Sequence, residues 1–514
     1  MTNRGTITCG SCDRGPRSGI LAVGFIAAAM VGSAAWMQVQ PSRRAHAQDG
    51  PAVTAPRTAG RVVAAPTVGK AELARAFQRL EAAVADRPDG MARAELNRRF
   101  DALTMLFFQN RLAEAVDALD ALTLDVLGIR GDAERDGLLR AMQVRVAPAR
   151  SALLADESSM AVRVDVPRSG SMPMAEDAGV RTIDVRVGGD PASEWMRLRS
   201  VPVTDASPDE LRGKAERAID LAAAAGGATP ADLAEARARA ALLTNEPSPR
   251  RTIQLVMDQA AIWSMVGEDL ARLGRGEPLF VQRRGDQWRT IDLGGVAMPC
   301  RVYVPDSVQA GTRPPLVIAL HGAGGDECMF FSAYGQGAIV HEAERLGCIV
   351  VAPNTTVFAT SPVLFDGLIA TLEREWGIDP SRVSVVGHSM GAAATGAIVR
   401  ARPDRIARAA LLAGWGGFGG VPGTGGGALD DAALGALPPM RVELGALDPL
   451  MEAGRISSAV QAMQARGARM ECTVHADEGH TMIVPRVLPA VMDWLVAPPA
   501  ATPAAPAASP PPAR

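Results

Sequence analysis

The sequence contains very little lysine, and a long stretch of it contains no histidine. Lys70 and Lys214 are the only lysines among 514 residues, so nearly all basic side chains are arginines. Together with the abundant alanine, this indicates a bias of genomic composition rather than a phosphate-binding surface. The net charge of −3 argues against nucleic-acid binding. Residues 70–275 contain no histidine, so that region lacks the commonest acid/base and metal-ligand side chain.

Cysteine is also scarce, with six residues in the chain. Cys9 and Cys12 form a Cys-x-x-Cys pair, but no second pair and no histidine pair accompanies it, so we predict no metal or redox centre there. The other four lie in the C-terminal half: Cys300, Cys328, Cys348 and Cys472. They could form disulfides in an oxidising compartment, but their spacing does not determine which would pair.

The N-terminal residues have the pattern of an export signal. Arginines in residues 1–18 precede an almost wholly apolar stretch at 19–37, and Ala45-His46-Ala47 follows as a small-x-small cleavage site. We predict that 1–47 is a signal peptide, with an uncleaved membrane anchor as the alternative. The expected location is therefore secreted, periplasmic or in the cell envelope. Residues 48–69, rich in Pro, Ala, Thr and Gly, are predicted to be a linker.

Residues 70–275 are predicted to be a mainly helical accessory region with a small β insert. Apolar residues recur three and four positions apart from 73 to 122, with a break at 87–90, which predicts a helical hairpin or small bundle. Short strands are predicted at 144–146, 161–166 and 182–187, and further helices at 210–224, 230–243 and 251–273. Binding, spacing and self-association all remain open as roles for this region.

From residue 276 to 496 the pattern is that of an α/β domain. A hairpin is predicted at 288–293 and 298–304, and short apolar strands then alternate with helical segments as far as 495. Such alternation predicts a mostly parallel sheet covered by helices. Residues 497–514 are rich in Pro and Ala and are predicted to be a disordered tail.

The motif Gly387-His388-Ser389-Met390-Gly391 lies between a β-branched apolar run and a helical pattern. A serine on a sharp turn from strand to helix needs neighbours without side chains, because the strand and the helix would otherwise collide. We therefore predict that Ser389 is a nucleophile exposed at the carboxyl end of the sheet.

A serine hydroxyl needs a base to remove its proton. His480 follows a late predicted strand and is the preferred base, whereas His475 lies within that strand and is the alternative. Asp448 follows the strand at 440–444, where the residue that orients the histidine is expected. The weaker candidates for that role are Glu452 and Asp477.

Acyl transfer also requires amide donors for the oxyanion. We predict the amides of Met390 and Ala323, with Gly324 as the alternative to Ala323. Gly322, Gly324 and His388 are predicted to line the substrate site, and His321 to brace the loop at 321–325.

These motifs give residues 301–495 a resemblance to the α/β-hydrolases, and among them to the secreted esterases grouped with polyhydroxybutyrate depolymerases and feruloyl esterases. The resemblance is carried by residues 316–322, 378–383 and 387–391. It implies a Ser-Asp-His hydrolase that uses no metal and no organic cofactor. Peptidases of the prolyl-oligopeptidase type share much of it. The sequence departs from the esterases at Ala323, where they often have cysteine, and in the glycine-rich stretch at 414–427, which is either a flap or a disordered loop.

The leading functional hypothesis is a serine esterase that works through an acyl-enzyme. A serine peptidase on the same scaffold is one alternative, and a binding protein with a vestigial hydrolase domain is another. No large cap segment lies between the predicted strands, which favours an open site and bulky or polymeric esters. No nucleic-acid partner is expected, and no membrane contact beyond a possible N-terminal anchor.

Overall fold

The computed structural model describes residues 69–131, 207–244, 259–359, 361–418 and 427–498, together with four short strands between 145 and 204 and the single positions 253 and 257. The predicted signal peptide, the predicted linker before residue 69, the strand predicted at 182–187 and the tail from 499 lie outside the described residues. The short strands are β1 (Arg145–Pro148), β2 (Leu153–Leu154), β3 (Val162–Asp165) and β4 (Val203–Thr204). Strand β1 pairs antiparallel with β3, and β2 pairs parallel with β4.

Three helices form the first part of the N-terminal region: α1 (Lys70–Asp86), α2 (Arg93–Phe108) and α3 (Leu112–Val126). Their apolar stripes pack together around Leu80, Phe100 and Leu122, as the three- and four-residue spacing predicts. This confirms the predicted small bundle. Met482, from a loop near the C-terminus, completes its core, so the bundle packs against the α/β domain.

A second group of helices comprises α4 (Pro208–Ala225), α5 (Pro230–Ala240) and α6 (Gln259–Gly274). Ser207 and Glu210 form a capping box at the start of α4, and Gly226 ends that helix in the left-handed conformation. These helices pack on Phe280 and Trp288, away from the first bundle's core. The part of the N-terminal region that the structure describes thus contains two helical groups with separate cores.

A buried arginine joins the second helical group to the α/β domain. The Arg289 guanidinium binds the carboxylates of Glu235 at 2.8 Å and Glu375 at 2.6 Å, and it stacks on the Phe280 ring at 3.4 Å. Two carboxylates bind one fully buried cation, so removal of Arg289 leaves both of them without this partner.

The α/β domain contains an eight-stranded sheet in the order β12-β11-β10-β9-β7-β8-β6-β5. Strands β7 to β12 run parallel to their neighbours within that set, whereas β6 and β5 add an antiparallel edge. This confirms the predicted hairpin and mostly parallel sheet. The strands are β5 (Gly285–Asp292), β6 (Ala297–Val304), β7 (Leu316–Leu320), β8 (Ile349–Pro353), β9 (Val383–His388), β10 (Arg408–Leu412), β11 (Met440–Gly445) and β12 (Met470–His475).

Successive apolar side chains of each strand point to opposite faces of this sheet. Both faces are therefore apolar, and helices cover each of them. In β7, Leu316, Ile318 and Leu320 face one core and Val317 and Ala319 face the other. The connecting helices are α7 (Met329–Ser332), α8 (Tyr334–Leu346), α9 (Thr355–Phe358), α10 (Pro362–Trp376), α11 (Met390–Ala401), α12 (Asp431–Ala436), α13 (Ala453–Gln464) and α14 (Ile483–Val496). The short helices α7, α9 and α12 are absent from the prediction.

The four cysteines of the described chain are free thiols. Cys300, Cys328 and Cys348 are buried in three different cores, which explains why no pair of them meets. Burial raises the pKa of the Cys348 thiol to about 12, so this side chain acts as a small apolar core residue.

Candidate active site

Ser389 lies on a strained turn between β9 and α11, with φ of 55° and ψ of −115°. Gly387 and Gly391 make this turn possible. A Cβ atom on Gly387 would lie 2.1 Å from the Gly391 carbonyl oxygen, and one on Gly391 would lie 1.9 Å from the Leu320 carbonyl oxygen. The backbone therefore excludes any side chain at either position, which is the steric reason given for the motif.

The structure brings Ser389, His480 and Asp448 together. Ser389 Oγ lies 2.9 Å from His480 Nε2, and His480 Nδ1 lies 2.8 Å from Asp448 Oδ2. The second oxygen of Asp448 accepts the amides of Leu450 and Met451 at 2.8 and 3.0 Å, which fixes the carboxylate at the end of β11. These distances are the ones that a general base beside the hydroxyl and an orienting carboxylate behind that base would require.

The surroundings of His480 favour its charged form. Burial lowers the pKa of the imidazole, but the charge and hydrogen bond of Asp448, with a further contribution from Asp101, outweigh burial and raise the pKa above its usual value. The ring is therefore suited to hold a proton taken from Ser389.

The alternative residues are engaged elsewhere. His475 Nε2 lies 2.7 Å from Glu443 Oε2, between neighbouring strands, and Glu452 forms an exposed ion pair with Arg455 at 2.9 Å. Of the candidates from the sequence, His480 is the one that contacts Ser389, and Asp448 is the one that contacts His480.

The loop at 321–325 lies beside Ser389, and both ring nitrogens of His321 make contacts that hold it in place. The ring contacts the Gly322 carbonyl through Nδ1 at 2.9 Å, and Nε2 accepts the Thr355 amide at 2.9 Å. This arrangement supports the predicted bracing role. Ala323 and Gly324 line the cavity over Ser389, and Met390 is the first residue of α11, where helical geometry leaves amides without an intrahelical acceptor. Their role as oxyanion donors stays a prediction.

His388 lines the cavity but is held firmly by two neighbours. Tyr334 Oη lies 2.5 Å from Nδ1, and Nε2 lies 3.0 Å from the His480 carbonyl oxygen. Burial lowers the pKa of His388 to about 3, with a smaller contribution from His480. The ring is therefore neutral, accepts from Tyr334 and donates to the backbone of His480.

The N-terminal helices supply side chains that the sequence did not assign to the site. Asp101 on α2 accepts the His480 backbone amide at 2.9 Å through Oδ2. Burial raises the pKa of Asp101 to about 6, against the opposing hydrogen bond from that amide. Gly479 allows this approach, since a Cβ atom there would lie 2.0 Å from Asp101 Oδ2.

The same helix holds the loop that carries His480 by a second set of contacts. Arg93 forms a bidentate pair with Glu478, both distances being 2.8 Å, and also donates to the Met482 carbonyl at 2.5 Å. Asn97 donates to the Asp477 carbonyl at 2.8 Å.

Arg93, Asn97 and Asp101 are spaced four residues apart and therefore lie on one face of α2. That spacing of polar side chains beside an apolar stripe is the signal in the sequence that could have identified them.

Helix α1 contacts the site through Glu81. Its carboxylate accepts the amides of Gly335 at 2.6 Å and Gln336 at 3.3 Å, at the start of α8 where the backbone is left-handed. Burial raises the pKa of Glu81 to about 7, against these two hydrogen bonds. Glu81 thereby supports the turn that presents Tyr334 to His388.

A cavity of about 190 Å³ opens onto Ser389 and His480 between the 321–325 loop and helices α1 to α3. The expectation of an uncovered site is therefore wrong. The cover comes from residues that precede the α/β domain in the chain, whereas the prediction considered only segments between its strands. Part of the stripe predicted to be core, including Phe107, lines this cavity instead.

Within the described residues, no cluster of three or more His, Cys, Asp or Glu side chains is arranged to hold a metal ion. No helix in that part of the chain is long and apolar enough to cross a membrane.

The sequence matches no protein-family model and no curated protein. Solved structures similar to part of it include an S-formylglutathione hydrolase from Staphylococcus aureus, with 16% identity over 42% of this chain and 99% of that one and a TM-score of 0.33. A ferulic acid esterase shows 15% identity over 41% and 96% of the two chains, with a TM-score of 0.34. An acetyl xylan esterase from Aspergillus awamori shows 17% identity over 41% and 98%, with a TM-score of 0.31.

The topology itself defines the fold. An eight-stranded, mostly parallel sheet is covered by helices on both faces, and a serine lies on a glycine-flanked turn after the central strand β9. Residues 285–496 thus have the topology of the α/β-hydrolase fold, which confirms the fold expected from the sequence.

Proposed function

We propose that this protein is a serine esterase that cleaves carboxylic esters through an acyl-enzyme. The single observation that carries the proposal is the chain of contacts from Ser389 Oγ to His480 Nε2 at 2.9 Å and from His480 Nδ1 to Asp448 at 2.8 Å. A buried serine, histidine and carboxylate at these distances are suited to nucleophilic catalysis.

In the first half-reaction, Ser389 Oγ bonds to the ester carbonyl carbon while His480 Nε2 accepts the hydroxyl proton. Asp448 holds the ring and stabilises its charged form. The amides of Ala323 and Met390 are the proposed donors to the oxyanion. When the bond from carbon to the alcohol oxygen breaks, His480 gives its proton to the leaving alcohol and the acyl group stays on Ser389.

In the second half-reaction, His480 accepts a proton from water, and the water oxygen attacks the acyl carbon. The bond to Ser389 Oγ then breaks, His480 returns the proton to the serine, and the carboxylic acid leaves. No step needs a metal or an organic cofactor.

Hydrolysis of short p-nitrophenyl esters by the purified protein, beside Ser389→Ala, tests the proposal. We expect the variant to lose at least three orders of magnitude in kcat. Equal rates in the two proteins would refute it. A parallel panel of peptide amides separates an esterase from the alternative serine peptidase, and a folded protein inert toward both panels would favour the binding-protein alternative. Secretion or envelope location, inferred from residues 1–47, remains part of the proposal.

A further inference from the structure

The cavity over Ser389 has one wall from the hydrolase domain and another from the N-terminal helices. We propose that helices α1 to α3 form the substrate-recognition wall of this site, and that the enzyme takes neutral esters carrying an apolar group about the size of a benzene ring. This inference rests on the proposed function and names its substrate class.

The helical wall consists largely of apolar side chains. Phe77 on α1, Leu103 and Phe107 on α2, and Leu119 on α3 all face the cavity, whose floor carries Ser389 and His480. A substrate group that fills this space leaves water and is stabilised by about 25 cal/mol for each Å² of apolar surface that it buries.

Phe107 lies directly against the loop proposed to bind the oxyanion. A Cβ atom on Gly324 would come within 2.0 Å of the Phe107 ring, and Gly324 has a φ of +81°, so the loop approaches the ring as closely as glycine allows. An ester carbonyl placed between this loop and Ser389 therefore has the Phe107 ring beside its substituent.

Two polar side chains on the helical wall of the cavity are already engaged with protein atoms. Gln78 donates to the Ser332 carbonyl at 2.8 Å, and Thr104 donates to the Phe100 carbonyl at 3.4 Å. No arginine or lysine is among the described residues that line the cavity, and Asp326 contributes a carboxylate. An anionic acyl or alcohol group would therefore enter without an arginine or lysine to pair with and beside the Asp326 carboxylate, which disfavours it.

The volume sets the size of the group. An apolar protein cavity of about 150 Å³ binds benzene, and the present cavity of about 190 Å³ is slightly larger. A phenyl ring or a short to medium acyl chain fits, whereas a long chain must extend beyond the helical wall.

The test is kcat/KM for p-nitrophenyl acetate, butyrate, hexanoate and dodecanoate, and for the monoester of adipic acid, which matches hexanoate in length but ends in a carboxylate. A second series of acetate esters with alkyl and aryl alcohols shows whether the acyl or the alcohol group occupies the cavity. We expect kcat/KM to rise about fourfold for each methylene that enters, to fall at dodecanoate, and to be far lower for the adipate monoester than for hexanoate.

Three substitutions on α2 locate the effect. Phe107→Ala removes apolar contact, and Thr104→Phe fills the cavity, so each should lower the ratio of hexanoate to acetate kcat/KM by about tenfold. Met105→Ala, at an exposed position of the same helix, should leave the ratio unchanged. If an alcohol group occupies the cavity, the same losses should appear in the acetate-ester series.

Reaction with a small fluorophosphonate separates the two levels of inference. Two outcomes would overturn the helical pocket and leave the proposed function standing. In the first, the wild-type protein labels at Ser389 but shows no preference in either ester series. In the second, Phe107→Ala and Thr104→Phe still label but leave the ratio of hexanoate to acetate kcat/KM unchanged. A protein that never labels would overturn the proposed function. Higher kcat/KM for the adipate monoester than for hexanoate would overturn the neutral substrate class.

Discussion

Asp101 reaches from the N-terminal helices to the backbone of His480, and two substitutions there separate its hydrogen bond from its charge. Its Oδ2 accepts the His480 amide at 2.9 Å, and its negative charge raises the pKa of the His480 imidazole. Asp101→Asn keeps an oxygen acceptor for the amide and removes the charge. Asp101→Ala removes both.

The two variants should differ in stability. Asp101→Ala leaves the buried His480 amide without its acceptor, which costs about 1–3 kcal/mol. Asp101→Asn keeps the acceptor and should keep that contribution. Both variants also remove a carboxylate whose ionised form is disfavoured by burial, since burial raises the pKa of Asp101 to about 6, so the difference between Asn and Ala isolates the hydrogen bond. Thermal unfolding of the wild type and both variants measures the difference. Equal midpoints for Asn and Ala would contradict the importance of this hydrogen bond.

The pH dependence of kcat/KM reports the charge. His480 acts as a base when it is neutral, so activity rises with pH through the pKa of the imidazole. Asp101, whose own pKa is about 6, is ionised at neutral pH and favours the protonated ring. Its removal therefore lowers the pKa of His480, and the acidic limb of the profile should move to lower pH in both variants. A limb that does not move, or moves to higher pH, would refute this electrostatic role.

Four other substitutions test separate parts of the structure. Burial raises the pKa of Glu81 from 4.5 to about 7, so the stability that its protonated form contributes is present below pH 4.5 and lost as pH rises to 7. Between pH 4.5 and 7 the wild type should therefore lose about 3 kcal/mol in free energy of unfolding. In Glu81→Gln, this dependence on pH should be absent when urea unfolding is measured over the same pH range. Arg289→Met leaves the Glu235 and Glu375 carboxylates without the cation that binds both of them and should lower the free energy of unfolding by about 3–5 kcal/mol, measured in the same way. Gly387→Ala places a Cβ atom 2.1 Å from a backbone oxygen and should prevent folding or greatly lower the unfolding midpoint, whereas Gly435→Ala, in open space, should not. Asp448→Asn should lower kcat about four orders of magnitude in ester hydrolysis, with little change in unfolding; an undiminished kcat would remove Asp448 from the mechanism.

The sequence was most informative where local pattern determines structure. Short apolar strands that alternate with helical segments predicted the parallel sheet. Ser389, Asp448 and His480 could be selected because each follows a strand whose carboxyl end lies at the same edge of that sheet. Gly387 and Gly391 carried a steric signal that needs no knowledge of the rest of the fold.

The cover over the site could not be predicted in this way. Asp101 and His480 are 379 residues apart, and helical periodicity identifies an apolar face without specifying what it packs against. Phe107 belongs to the same stripe as the core residue Phe100, so spacing alone does not separate a pocket wall from a core. The polar series Arg93, Asn97 and Asp101 marks one line along α2 beside the apolar stripe, and the structure buries Asn97 and Asp101, which is unusual for such side chains unless they are paired.

The central claim is that Ser389 is the nucleophile, and covalent labelling tests it most directly. After reaction of the full protein with a fluorophosphonate, intact mass and peptide mapping should show one adduct on Ser389, none in Ser389→Ala, and slow labelling in His480→Ala. A folded wild-type protein without an adduct, or an adduct on another residue that persists in Ser389→Ala, would contradict the claim.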